Sequence, residues 1–133
     1  MLLNWFKKNS VLAARIALFI IYFWFGFLKV IGFSPAGPLV GALFDRTISF
    51  VPFQMFYISF AIFECLIGIL FLFPKLTRVA LVLFFLHMIT AFLPLICLPD
   101  MIWQTILIPT LEGQYIIKNI ALIALAMEIG GSI

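Results

Sequence analysis

Four apolar stretches, each about 20 residues long, alternate with short polar or proline-marked segments. A bilayer's hydrocarbon core is crossed by about 20 apolar residues in a helix. The pattern therefore predicts helices over about 11–31, 53–73, 76–97 and 111–129. The fold class is all-α: a four-transmembrane-helix bundle in one membrane domain, 1–133, with short interfacial segments in the two outer loops.

Residues 1–9 read as an interfacial start, with Trp5 at headgroup level and Lys7 and Lys8 beside it. Ser10 is a plausible N-cap. The loop 32–52 carries Gly32, Pro35, Gly37, Pro38 and Pro52. Within it, 38–50 reads as a short interfacial helix with Pro38 in its first turn. Pro74 ends the second span, and the tight basic turn 75–78 makes the second and third spans antiparallel neighbours. Pro94 is expected to kink the third. Residues 98–110 are apolar, short and bracketed by prolines, which suits a second interfacial or re-entrant segment. Glu112 falls in the first turn of the last helix, where its charge suits the helix dipole.

Composition sharpens this reading. Of 133 residues, 66% are hydrophobic and 10% charged, where soluble proteins carry about 25% charged residues. The mean hydropathy is +1.31. The net charge of +3 needs no nucleic acid, because basic residues flanking spans set topology. Lys7, Lys8, Arg15, Lys75 and Arg78 fall on one side. Arg46 sits on the other with Asp45, Asp100 and Glu112, so both termini are expected in the cytoplasm, the membrane being the bacterial cytoplasmic one. The first stretch is longer than a signal-peptide core and lacks a clear A-x-A site, so it reads as a span. Cys65 and Cys97 lie at different depths without a C-x-x-C pair, which reads as two unpaired core thiols.

The polar residues inside the spans change the picture most. Glu64 lies near the middle of its stretch. A carboxylate there costs about 2.5–3.5 kcal/mol on an insertion scale, while each Leu, Ile, Phe or Val returns about 0.3–0.6. Residues 55–73 hold twelve of those four types, so the segment still inserts, provided that Glu64 turns away from lipid or is paired. Steps of three, four or seven place polar and small residues on one face of each helix. The sets are Arg15, Tyr22, Gly26, Lys29; Gln54, Tyr57, Ala61, Glu64, Gly68; Ala80, Phe84, His87, Ala91, Pro94; and Leu111, Tyr115, Lys118, Leu122. Turning all four faces inward gathers Lys29, Glu64, His87 and Lys118 in one bundle. Arg15, Tyr22, Tyr57, Tyr115 and Asn119 are the supporting polar network.

An ionisable group inside a membrane is a functional-site hypothesis by default. Two lysines and an imidazole facing one carboxylate leave spare donors for a carbonyl oxygen or an anion. A quinone head group fits, as does a small sulfur oxyanion. The same Glu–Lys pair with a histidine bond also serves simply to hold helices in register. One His and one Glu are too few ligands for a metal, and no motif for haem, flavin or an iron–sulfur cluster is present, so no covalently bound cofactor is expected.

The stretch 15–29, with Arg15 at its start and Gly26-x-x-Lys29 at its end, resembles the first helix of DoxX-like membrane proteins. The stretch 64–78 resembles their second helix and basic turn; His87-Met88 and Gly113-Gln-Tyr-Ile-Ile-Lys118-Asn119 resemble helices 3 and 4 of the small proteins related to DoxX. The resemblance covers most of the chain and implies a four-helix bundle. It points to Arg15, Lys29, Glu64 and Lys118, and to two kinds of role. Some relatives are linked to thiosulfate:quinone or terminal oxidase systems, others to membrane-protein assembly or chaperoning. The expected function is a redox-associated subunit binding a quinone or similar small molecule at Lys29, Glu64, His87 and Lys118; if an enzyme, it is a quinone-linked oxidoreductase subunit. The alternative is a non-catalytic accessory or assembly protein with a structural polar core. The expected partners are the lipid bilayer, a protein partner in a membrane complex and further copies of the chain.

Overall fold

A computed structural model describes residues 1–32, 37–47 and 52–133. Helix α1 spans Leu2–Val30, α2 Gly37–Thr47 and α3 Phe53–Phe71. A 3-10 turn at Pro74–Leu76 leads into α4, Thr77–Phe92. Two single-turn helices follow, α5 at Pro94–Cys97 and α6 at Pro99–Ile102. Strands β1 (Trp103–Thr105) and β2 (Ile108–Pro109) form a small hairpin, and α7 (Leu111–Ile117) and α8 (Asn119–Gly131) end the chain. Among the described residues, three helical stretches are long and apolar enough to cross a membrane: Leu2–Val30, Phe53–Phe71 and Pro74–Cys97. A lipid bilayer is the environment they fit.

The helices close a ring in which α1 packs on α3, α3 on α4, α4 on α8, and α8 back on α1. The α1–α3 contact is the most extensive, and Gly26 and Gly68 explain why. A Cβ on Gly26 would stand 2.7 Å from the Ala61 carbonyl oxygen and 2.8 Å from the Cys65 sulfur. One on Gly68 would stand 3.0 Å from the Phe23 nitrogen. Small residues let backbones approach where lipid leaves no hydrophobic force to drive helices together. Leu18, Ile67, Phe71, Phe84, Ala126 and Ile129 fill the centre of the ring. At the α2 end, Leu98, Ile102 and Ile116 form a second, smaller core, on which Leu39 and Leu43 of α2 pack.

Several boundaries differ from expectation, each for a local reason. Helix α1 begins at Leu2, not near Val11, so residues 2–9 are helical. Ser10 lies inside that helix, where its hydroxyl donates to Glu128 Oε1 at 3.1 Å instead of capping an end. The short outer-loop helix starts with Pro38 in its first turn as expected and runs to Thr47; residues 48–50 of the expected helix lie outside the described residues, as does Pro35. Pro94, which has no N–H for the ladder, interrupts the third span after Phe92; Leu93 keeps helical dihedrals, and the chain continues as α5, so the helical stretch still reaches Cys97. The segment 98–110 folds as α6 and the hairpin. Trp103 pairs with Pro109 and Thr105 with Ile108, and Leu107 takes the left-handed conformation at φ 64°. Thr110 then caps α7, its hydroxyl oxygen accepting from the Gly113 N–H at 3.2 Å. The expected fourth helix is divided at Lys118 into two pieces of 7 and 13 residues.

Candidate functional site

The antiparallel α1–α3 contact sets Lys29 opposite Glu64. Lys29 Nζ donates to both carboxylate oxygens, 2.8 Å from each. Both residues are buried, Lys29 at 7% and Glu64 at 4% exposure. From α4, His87 brings Nε2 to 3.5 Å from Glu64 Oε1, a longer and weaker contact than the lysine bonds. On its other side, His87 Nδ1 lies 2.9 Å from the Tyr22 hydroxyl. With Nε2–H turned to the carboxylate, Nδ1 accepts and Tyr22 donates. A chain of polar contacts thus runs Lys29–Glu64–His87–Tyr22, from α1 through α3 and α4 back to α1.

Aromatic rings enclose it. Phe60 stacks on the His87 imidazole with centroids 5.2 Å apart, and Tyr22 meets the same ring edge-on at 5.0 Å. The Lys29 ammonium lies 5.9 Å from the Phe60 centroid. Phe60 is a member that polarity missed; its position four residues before Glu64 is the signal that finds it, since residues four apart share a helix face. Cys65 packs beside the pair, its sulfur 3.7 Å from the Phe23 carbonyl oxygen. Every buried side-chain nitrogen and oxygen among the described residues has a hydrogen-bond partner. The arrangement holds one cation against one anion, so it is close to neutral as it stands.

Arg15 is buried as the stripe requires, but it does not join this chain and does not snorkel to solvent. Its Nη1 donates to the Phe71 carbonyl at 2.9 Å, satisfying an end carbonyl of α3 that lacks a helical partner. Tyr57 is also buried, yet its ring packs on Phe53, centroids 5.3 Å apart, next to α2 rather than Glu64. Lys118 and Tyr115 depart furthest from expectation. Tyr115 is 56% exposed, Lys118 is exposed, and the ammonium lies 4.5 Å from the Tyr115 centroid. Asn119 is half-buried. The inner face of this last segment is apolar and small instead, made of Gly113, Ile116, Ala126 and Ile129. Small and branched apolar side chains fill the crowded ring, and the long polar ones go outside.

Two surface hollows are lined by Phe19, Ile20, Phe23, Trp24 and Phe27 on α1, and by Met1, Leu2 and Trp5 at its start. Neither touches Glu64. Among the described residues, no group of three or more metal-ligating side chains gathers. Both cysteines are free. Comparisons with models of protein families, with curated proteins and with solved structures find no match.

Proposed function

We propose that the chain is a DoxX-like accessory or assembly protein of the bacterial cytoplasmic membrane, with α7 and α8 acting together as a fourth span. Both termini then lie in the cytoplasm. In this reading the Lys29–Glu64–His87–Tyr22 chain is a lock that fixes the packing of α1, α3 and α4. One observation carries it: both Glu64 oxygens are already taken by Lys29. The spare cation that a ligand site needs, Lys118, stands outside over Tyr115.

A second reading keeps the quinone-binding, redox-associated subunit, and the His87–Glu64 distance of 3.5 Å favours it. That contact is loose enough for a carbonyl oxygen to take the imidazole N–H, with Phe60 offering a ring face nearby. The purified protein, extracted and analysed by native mass spectrometry beside Glu64→Gln, separates the two. An empty wild type, with a lower melting temperature in the variant, is the result expected of a lock. A quinone held by the wild type and lost from Glu64→Gln overturns it in favour of a binding site.

A further inference from the structure

Lys118 is out of place for a lipid-facing residue. It sits seven positions after Leu111, about 10 Å along the helix, and it is exposed. Side chains on a helix lean toward its N-terminus, here the end away from Lys7 and Lys8. The ammonium accordingly lies over the ring of Tyr115, one turn nearer that end. Among the described residues, no carboxylate is within salt-bridge distance of it. Helical spacing puts Glu112, Tyr115 and Lys118 on one side of the segment, and all three are exposed. This outer face thus presents a cation at depth, an aromatic ring above it and an anion nearest the surface.

A phospholipid with an amine head group has the complementary order. Its phosphate lies at the deeper level and its ammonium further out, while its acyl chains run down past the apolar flank of α8, where Ile120 is 60% exposed. We propose that this face is a binding site for a phosphatidylethanolamine-class lipid in the leaflet opposite Lys7 and Lys8. The phosphate bonds to Lys118, the ring of Tyr115 packs against the head group, and the ammonium donates to Glu112. A glycerol head group presents the same phosphate to Lys118 but offers Glu112 no cation, so charge complementarity selects the amine-bearing head group. The inference rests on the proposal that α7 and α8 lie in the bilayer.

The test uses the detergent-purified full chain, exchanged into vesicles of equal phosphatidylethanolamine and phosphatidylglycerol and then released for native mass spectrometry. The wild type is expected to retain the ethanolamine lipid about tenfold over the glycerol lipid, the scale of one charge-assisted hydrogen bond. Lys118→Gln should retain neither, and Glu112→Gln should lose the preference while keeping a lipid. Circular dichroism and melting of each variant check that the fold persists. Retention that ignores Lys118→Gln, or a preference for the glycerol lipid, overturns the site. A dimer that dissociates in Lys118→Gln also overturns it, by making the occupant a second copy. Reporters fused to the two termini that fall on opposite faces of the membrane overturn the placement of α7 and α8 in the bilayer, and so separate that failure from failure of the lipid site.

Discussion

Glu64 is held by residues from two other helices, and its stability follows from that pairing. Removing one partner of a buried pair leaves the other charge uncompensated, at a cost of about 3–5 kcal/mol, whereas replacing both with apolar groups is often close to neutral. Lys29→Met is therefore expected to lower stability by about that amount, and Lys29→Met with Glu64→Leu to recover most of it. Thermal melting in detergent reads both, and a double variant no better than the single one would mean that the pair does more than lock helices. The four members of this chain were legible in the sequence because each is a polar group in an apolar run at helical spacing. Lys118 satisfied the same rule and misled. Spacing says which residues share a face, but not which face turns inward; that was decided by the room available to Gly113 and Ala126. Arg15 and Tyr57 were legible as buried and not as to partner, because a backbone carbonyl and a neighbouring ring leave no mark in a polar pattern.

At the scale of elements, two close fits make distinct predictions. The Gly26 position has no space for even a methyl group, with the Ala61 oxygen 2.7 Å from where it would sit. Gly26→Ala is expected to push α1 from α3 and lose about 1–3 kcal/mol, seen as a lower melting temperature. An unchanged value would show that the helix pair slides freely. The hairpin turn holds the opposite kind of strain. Left-handed backbone costs a residue such as Leu107 about 1–2 kcal/mol, a penalty that asparagine largely escapes. Leu107→Asn is expected to raise stability by about 1 kcal/mol, and a lower melting temperature instead would mean that the leucine side chain is anchored. Apolar length made the long helices legible, and proline marked where α3 and α4 end. The hairpin was not, since Trp103–Pro109 carries no Asn-Gly or Asp-Gly pair to announce a turn. The early start of α1 was hidden because Lys7 and Lys8 read as interfacial charges whether or not the backbone beneath them is helical.

For the whole molecule, the number of crossings decides where the ends lie. The antiparallel α1–α3 contact brings Lys75 and Arg78 to the end of α1 that carries Lys7 and Lys8, as four crossings with basic turns inside would require. Reporters fused separately to the two termini are expected on the same, cytoplasmic side. Termini on opposite faces would mean that α7 and α8 stay at the interface and only three stretches cross.

Helix α1, at 29 residues, is ten longer than its partner α3 at 19. Gly26, near the carboxyl end of α1, packs on Ala61 and Cys65, and Arg15 meets Phe71, the last residue of α3, so the surplus of about 15 Å overhangs at the amino end. Leu2, Leu3, Trp5 and Phe6 are exposed along it. A thicker bilayer can draw the apolar side of that overhang deeper while Lys7 and Lys8 reach back to the headgroups, and a thinner one can leave it lying in the headgroups, without disturbing the Lys29–Glu64 bond further along. The overhang is thus a slack end, which lets one rigid bundle sit in membranes of different thickness.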